Sequence, residues 1–216
     1  MALSLLKHRI KSALGRPSVP PPVDGVAGSD WYDKAYAILP KYADPYWQSH
    51  YYPVWTPIVD RVRRDKLQRV VDIGCGPGQF AQMLFDMGGI SDYTGLDFSP
   101  TAVSMAQSAC PKGKFVVGDA TNTRLCLDTP HDVVICMEVL EHVPDDESVI
   151  GHFQPGVRAI CTVPNFDYDS HVRFFKTAHE VSDRYAKFFD RFDVFPILGH
   201  YNPKHTYYVM DGIRRA

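Results

Sequence analysis

At 216 residues the chain has room for one well-packed domain and not for two ordinary ones. Its 45% hydrophobic content is ordinary for a soluble globular protein, and no apolar run reaches the ~18 residues that a membrane-spanning helix needs. A formal net charge of −2 creates no field for wholesale nucleic-acid binding, so no DNA partner is expected.

The N-terminal 23 residues differ from the rest. Lys7, Arg9, Lys11 and Arg16 precede the first acid, Asp24, while Leu3, Leu6, Ile10, Ala13 and Leu14 fall on one helical face. Pro17, Pro20, Pro21 and Pro22 then end any helix and read as a stiff linker. Three readings stay open for residues 1–16: a loosely docked helix, a basic amphipathic helix on an anionic membrane, or a serine-poor transit peptide. There is no long apolar core of a secretory signal, so the expected location is cytoplasmic, with peripheral membrane contact through residues 1–16 under the second reading.

Residues 29–66 are rich in aromatics and hold Trp31, Trp47 and Trp55, with Pro40, Pro45, Pro53 and Pro57 dividing them into short pieces. Thr56 and Pro57 read as N-cap and first residue of a helix over 56–64. A regular alternation follows. Strands are predicted at 68–73, 92–96, 114–117, 131–137 and 158–163. Helices are predicted at 78–87, 99–109 and 180–189, with a helix or turn over 140–153, and two closing strands at 192–198 and 206–210. The pattern predicts an α/β fold, a mostly parallel sheet with helices on both faces. In such a sheet ligands bind at the carboxyl ends of strands. The cysteines Cys75, Cys110, Cys126, Cys136 and Cys161 are scattered and form no CxxC pair, which argues against disulfides or a zinc site and for a reducing compartment.

The strongest signal runs from Val70 to Phe80, directly after the first strong strand. Gly74, Gly76 and Gly78 let the backbone turn sharply and approach a ligand. Gln79 stands where a dinucleotide loop would need its third glycine, so the spacing is G-x-G-x-G. Asp72 precedes the loop, with Cys75 inside it and Phe80 just after it. The second strand ends at Asp97 and Phe98, an acid for a ribose diol and a flat face for adenine. The third ends near Asp119 and Ala120, where a carboxylate can accept from an adenine amino group. Taken singly, Asp97 reads equally as a helix N-terminal acid and Asp119 as a turn aspartate; three acids at three successive strand tips are much harder to obtain by accident.

The run DIGCGPG, GLDFS, VVGDA and CMEVLEHV resembles the class I S-adenosylmethionine (SAM)-dependent methyltransferases over residues 55–210. The resemblance implies a Rossmann-like seven-stranded sheet with its last strand antiparallel, in a domain over 29–216 whose aromatic cap is 29–66; residues 1–28 stay outside it. It also implies that Asp72 and the loop from Gly74 to Gly78 hold the methionine part of SAM, Asp97 the ribose, and Phe98, Asp119 and Ala120 the adenine. Met137 would line the methyl-transfer channel. Within the class, ICMEVLEHVPD resembles the ubiquinone-biosynthesis O-methyltransferases. The Glu-x-x-Glu-His run is also similar to that of the Hen family of small-RNA 3′-end methyltransferases.

Methyl transfer is an in-line displacement, and an oxygen acceptor must also lose a proton. His142 is the candidate base, with His171 on the long 162–175 loop as the next. Glu138, Glu141 and His142 are of metal-ligand types and at spacings that would share one helical face, although a divalent metal is not expected; a packing role for the Glu-His-Val run competes with both. Tyr51, Tyr52, Trp55, Asn165 and Arg173 are expected to contact the acceptor. The leading reading is methyl transfer to a hydroxyl of a small molecule or glycan. The alternatives are an RNA 3′-end or nitrogen acceptor, and a non-catalytic SAM-binding module. The missing basic stripe disfavours RNA, and the glycine spacing disfavours a nucleotide-dependent oxidoreductase.

Overall fold

Strand β1 (Arg69–Ile73) shows how the layers are built. Val70 packs into one apolar cluster, whereas Val71 and Ile73 pack into a second on the opposite face of the sheet. Strand β4 (Val133–Met137) repeats the division, with Val133 and Ile135 on the first side and Val134 and Cys136 on the second. The computed structural model describes residues 17–22, 25–200 and 202–216; the readings made for residues 1–16 lie outside them.

The remaining strands are β2 (Asp92–Asp97), β3 (Lys114–Val117), β5 (Arg158–Pro164), β6 (Phe189–Leu198) and β7 (Thr206–Arg214). They form one seven-stranded sheet in the order β3-β2-β1-β4-β5-β7-β6, with β7 antiparallel to both β5 and β6. Strand order therefore reverses between β1 and β4, and the loops after those two strands open into a common crevice. This is the Rossmann-like arrangement expected from the sequence.

The helices are α1 (Ser29–Ile38), α2 (Tyr52–Arg64), α3 (Gln79–Met83), α4 (Pro100–Ala109), α5 (Leu125–Asp128), α6 (Asp146–Gly151) and α7 (Ala178–Tyr185). A π-helical turn, Leu84–Gly88, extends α3, and Gly89 follows it in left-handed conformation. Helix α2 starts a turn before the expected Thr56. Pro53 occupies its first turn, Pro57 lies inside it, and the Thr56 hydroxyl donates back to the Tyr52 carbonyl at 2.8 Å instead of capping. Over 140–153, read as a helix or turn, both occur in succession. Glu138 takes a left-handed φ of 55°, and residues 139–145 form turns before α6 begins. Glu138, Glu141 and His142 thus do not share a helical face.

Gly78 belongs to packing. It is left-handed (φ +84°), and a Cβ there would lie 2.8 Å from the Cα of Ala106 on α4. Gly78→Ala should therefore destabilise the fold by ~1–3 kcal/mol through strain and displaced packing, read as a lower melting temperature. An unchanged melt would show that α4 is not held against the glycine loop. All five cysteines are free and buried, as small apolar side chains are. Among the described residues, no helix is long and apolar enough to cross a membrane.

Candidate active site

The loop after β1 is held open by its own backbone. Gly74 and Gly76 both have positive φ, and Gly76 presents bare backbone to a cavity of about 310 Å³. A Cβ at Gly74 would strike the Val139 side chain at 2.2 Å, whereas one at Gly76 would meet the Tyr36 hydroxyl at 3.6 Å. Asp72, Cys75, Phe80 and Met137 line the same cavity. Asp72 is buried and accepts from the Tyr93 hydroxyl at 2.5 Å. Burial pushes its carboxyl up to about 7, against the pull of that hydrogen bond.

An adjoining cavity of about 110 Å³ is lined by Asp97, Phe98, Asp119 and Ala120, with Tyr32 and Tyr36 of α1 opposite them. The strand-tip residues thus share one wall. Asp97 also accepts from the Gly76 N–H and the Ser99 N–H, each at 2.9 Å, so it braces the glycine loop. Burial raises its carboxyl to about 6, opposed by those two backbone donors. Asp119 accepts from the backbone N–H and the hydroxyl of Thr121, each at 2.8 Å. Of the expected cofactor residues, Gly78 lines neither cavity.

Helix α1 covers the crevice because its Asp33 caps α4, accepting from the Ser99 hydroxyl and from the Thr101 N–H. Its Tyr32 ring then packs on Phe98 and edge-on to His142. The sequence contained the aromatic richness of this segment but no signal that Asp33 fixes its position.

The turn after β4 and the loop after β5 meet beside the first cavity. The His142 Nδ1 faces the Ser170 carbonyl at 2.9 Å and the His171 Nδ1 faces the Phe166 carbonyl at 3.0 Å. A carbonyl only accepts, so each Nδ1 carries the proton and each Nε2 keeps its lone pair. The rings stand 4.8 Å apart. Burial holds His142 down to about 4, which makes it a neutral imidazole near neutral pH. Glu141, His142 and His171 each offer a ligand atom, all within 4.8 Å of one another. Both Glu141 oxygens are fully buried without a hydrogen-bond partner among the described residues. Burial pushes the Glu138 and Glu141 carboxyls up, and Thr162 donates to the former at 2.9 Å. The donor set fits a divalent cation, and its third member comes from a different loop than the Glu-x-x-Glu-His spacing indicated.

The acceptor expectations divide. Tyr51 and Trp55 line the cavity. Tyr52 instead packs against Tyr46. Asn165 ties the β5 loop to β7, accepting from the Thr206 N–H at 2.7 Å and donating to the Lys204 carbonyl at 3.1 Å. Arg173 is drawn away from the cavity: its guanidinium donates to the carbonyls of Leu140, Val143 and Pro144 and pairs with buried Asp146. It clamps the turn that carries Glu141 and His142. The aromatic segment and the loop after β5 also contribute Tyr42, Phe166 and Tyr168 to the lining, and the sequence reading missed His205 and Tyr207.

The fold is that of the Rossmann-like methyltransferases. Residues 70–154 match the family described as "Methyltransferase domain". A trans-aconitate 2-methyltransferase of Enterobacter sp. (strain 638) is 27% identical over 128 residues, 57% of this chain and 50% of the relative; the match thus spans about half the length of that curated relative. A solved structure described as the conversion of a disulfide bond into a thioacetal group during echinomycin biosynthesis superposes with a TM-score of 0.59 at 19% identity, covering 87% of this chain and 93% of the other. The N-methyltransferase NodS from Bradyrhizobium japonicum WM9, in complex with S-adenosylhomocysteine, gives a TM-score of 0.55 at 15% identity, covering 73% and 84%.

Proposed function

We propose that this chain transfers the methyl group of SAM to a hydroxyl oxygen of a small-molecule or glycan acceptor. The observation that carries the reading is the continuity of the site. The glycine loop and Asp72 line one cavity with His142, His171 and the aromatic loop after β5, while the strand-tip acids line the cavity next to it. SAM would supply an electrophilic methyl on a sulfonium. Asp72 is a buried carboxylate suited to its ammonium group, Asp97 to its ribose diol, and Phe98 and Asp119 to its adenine. The bare backbone at Gly76 gives the close approach that such a ligand needs.

The chain's own contribution is positioning and proton removal. The Ser170 carbonyl fixes the His142 tautomer, so that Nε2 is the atom able to take the acceptor proton. A second reading is favoured by the unpartnered oxygens of Glu141: Glu141, His142 and His171 would hold a divalent cation that acidifies the acceptor hydroxyl. Methyl transfer from labelled SAM, screened across glycans, phenols, amines and RNA 3′ ends, tests the function. Transfer to an amine or an RNA end in place of a hydroxyl would overturn the acceptor class.

Asp97→Ala is expected to weaken SAM binding by at least about tenfold, since hydrogen bonds to a charged group contribute ~1.5–3 kcal/mol. Calorimetric titration measures it. Unchanged affinity in a folded variant would remove Asp97 from the ribose site.

A further inference from the structure

We propose that the acceptor is an uncharged ring bearing hydroxyls and that carboxylate-bearing rings are rejected, an inference that rests on the cavity being the acceptor site of the methyl-transfer reading. The scarcity of cations on its wall carries the argument. Among the described residues, Lys41 is the one lysine or arginine lining the cavity, and its Nζ sits 4.7 Å from the centre of the Tyr42 ring. The carboxyls of Asp72 and Glu138 share that wall and offer an incoming carboxylate no countercharge. Arg173, expected from the sequence to contact the acceptor, instead directs its guanidinium to three main-chain carbonyls and Asp146. His50 is held down to about 4 by burial and adds no positive charge near neutral pH. A carboxylate entering here would lose its water and find no bidentate cation to replace its hydration.

The rest of the wall suits a neutral ring. Phe166 stacks on His205 with centroids 3.9 Å apart and planes 15° apart, and Tyr207 meets Phe166 edge-on at 5.6 Å. Tyr42 and Tyr168 add phenolic tips, Tyr168 being 50% exposed at the rim. Flat faces with hydroxyl tips match both the apolar face and the hydroxyl edge of a sugar, and equally those of a phenol.

Two matched pairs test this on the full chain loaded with S-adenosylhomocysteine. Methyl β-glucoside is compared with methyl β-glucuronide, and catechol with 3,4-dihydroxybenzoate, by saturation-transfer NMR. The two pairs tell a sugar source from a phenol source. We expect saturation transfer to at least one uncharged member, with its carboxylate partner at least tenfold weaker, about 1.4 kcal/mol. A carboxylate that binds as well as or better than its partner, or no transfer to any of the four, overturns the proposal. Tyr168→Arg places a cation at the rim and should bring the bound carboxylate to within a few-fold of its neutral partner; no gain would overturn the charge argument. Calorimetry with S-adenosylhomocysteine alone reads the methyl-donor site separately. Absence of binding there would sink the methyltransferase reading, whereas donor binding with the wrong ring preference sinks only this proposal.

Discussion

Gly76→Val is expected to abolish SAM binding in a chain that still folds. Gly76 lines the larger cavity, and a side chain there would grow into open space with only the Tyr36 hydroxyl at 3.6 Å. The left-handed φ of +54° adds ~1–3 kcal/mol of backbone strain for a β-branched residue, which a domain of ordinary stability tolerates. The branched side chain would occupy the space that the donor's backbone-hugging part requires. The neighbouring glycines would not give so clean a result. A side chain at Gly74 collides with Val139 at 2.2 Å, and one at Gly78 with the α4 backbone at 2.8 Å, so both mix folding with binding. Calorimetric titration with S-adenosylhomocysteine, paired with a thermal melt, measures the two effects apart. A folded Gly76→Val that keeps wild-type affinity would show that the loop is not the donor site.

The contrast among three glycines in five residues shows what the sequence could reveal. Spacing marked the glycine turn, because local turn chemistry is written locally; it could not say which glycine faces the cavity and which faces a helix, because Ala106 comes against Gly78 only through the β2-α4 crossover. The strand-tip acids were legible for the same local reason. The wall of the larger of these two cavities was only half legible. The loop after β5 advertises its aromatics, but Tyr207 reaches the cavity because β7 returns antiparallel beside β5 and sets Tyr207 opposite Pro164. Nothing in the spacing encodes that register. Arg173 was misplaced for a related reason. A loop arginine reads as a substrate ligand until the turn after β4 is seen to leave three carbonyls unpaired by helix, and those carbonyls claim it.

The same interlocking of two loops determines how His142 is to be tested. The Val172 N–H donates to the Glu141 carbonyl at 2.8 Å, and with the His142–Ser170 bond and the Arg173 clamp this brings His171 against Glu141 and His142. His142→Ala is expected to lower methyl transfer at saturating donor by ~10²–10⁴, the usual contribution of a positioned base, with donor affinity measured separately because His142 lines both cavities. If His142 acts alone, chelator leaves the wild-type rate intact and Glu141→Ala or His171→Ala does less damage than His142→Ala. If the three residues share a cation, chelator removes activity, added divalent metal restores it, and all three alanine variants fall together. A packing role gives a third pattern: Glu141→Ala, which removes a buried carboxyl without a hydrogen-bond partner among the described residues, raises the melting temperature, while His142→Ala lowers it and leaves turnover per folded molecule unchanged. That last result would remove His142 from the chemistry and leave His171, whose Nε2 lone pair is likewise free of the Phe166 bond, as the base to be tested next.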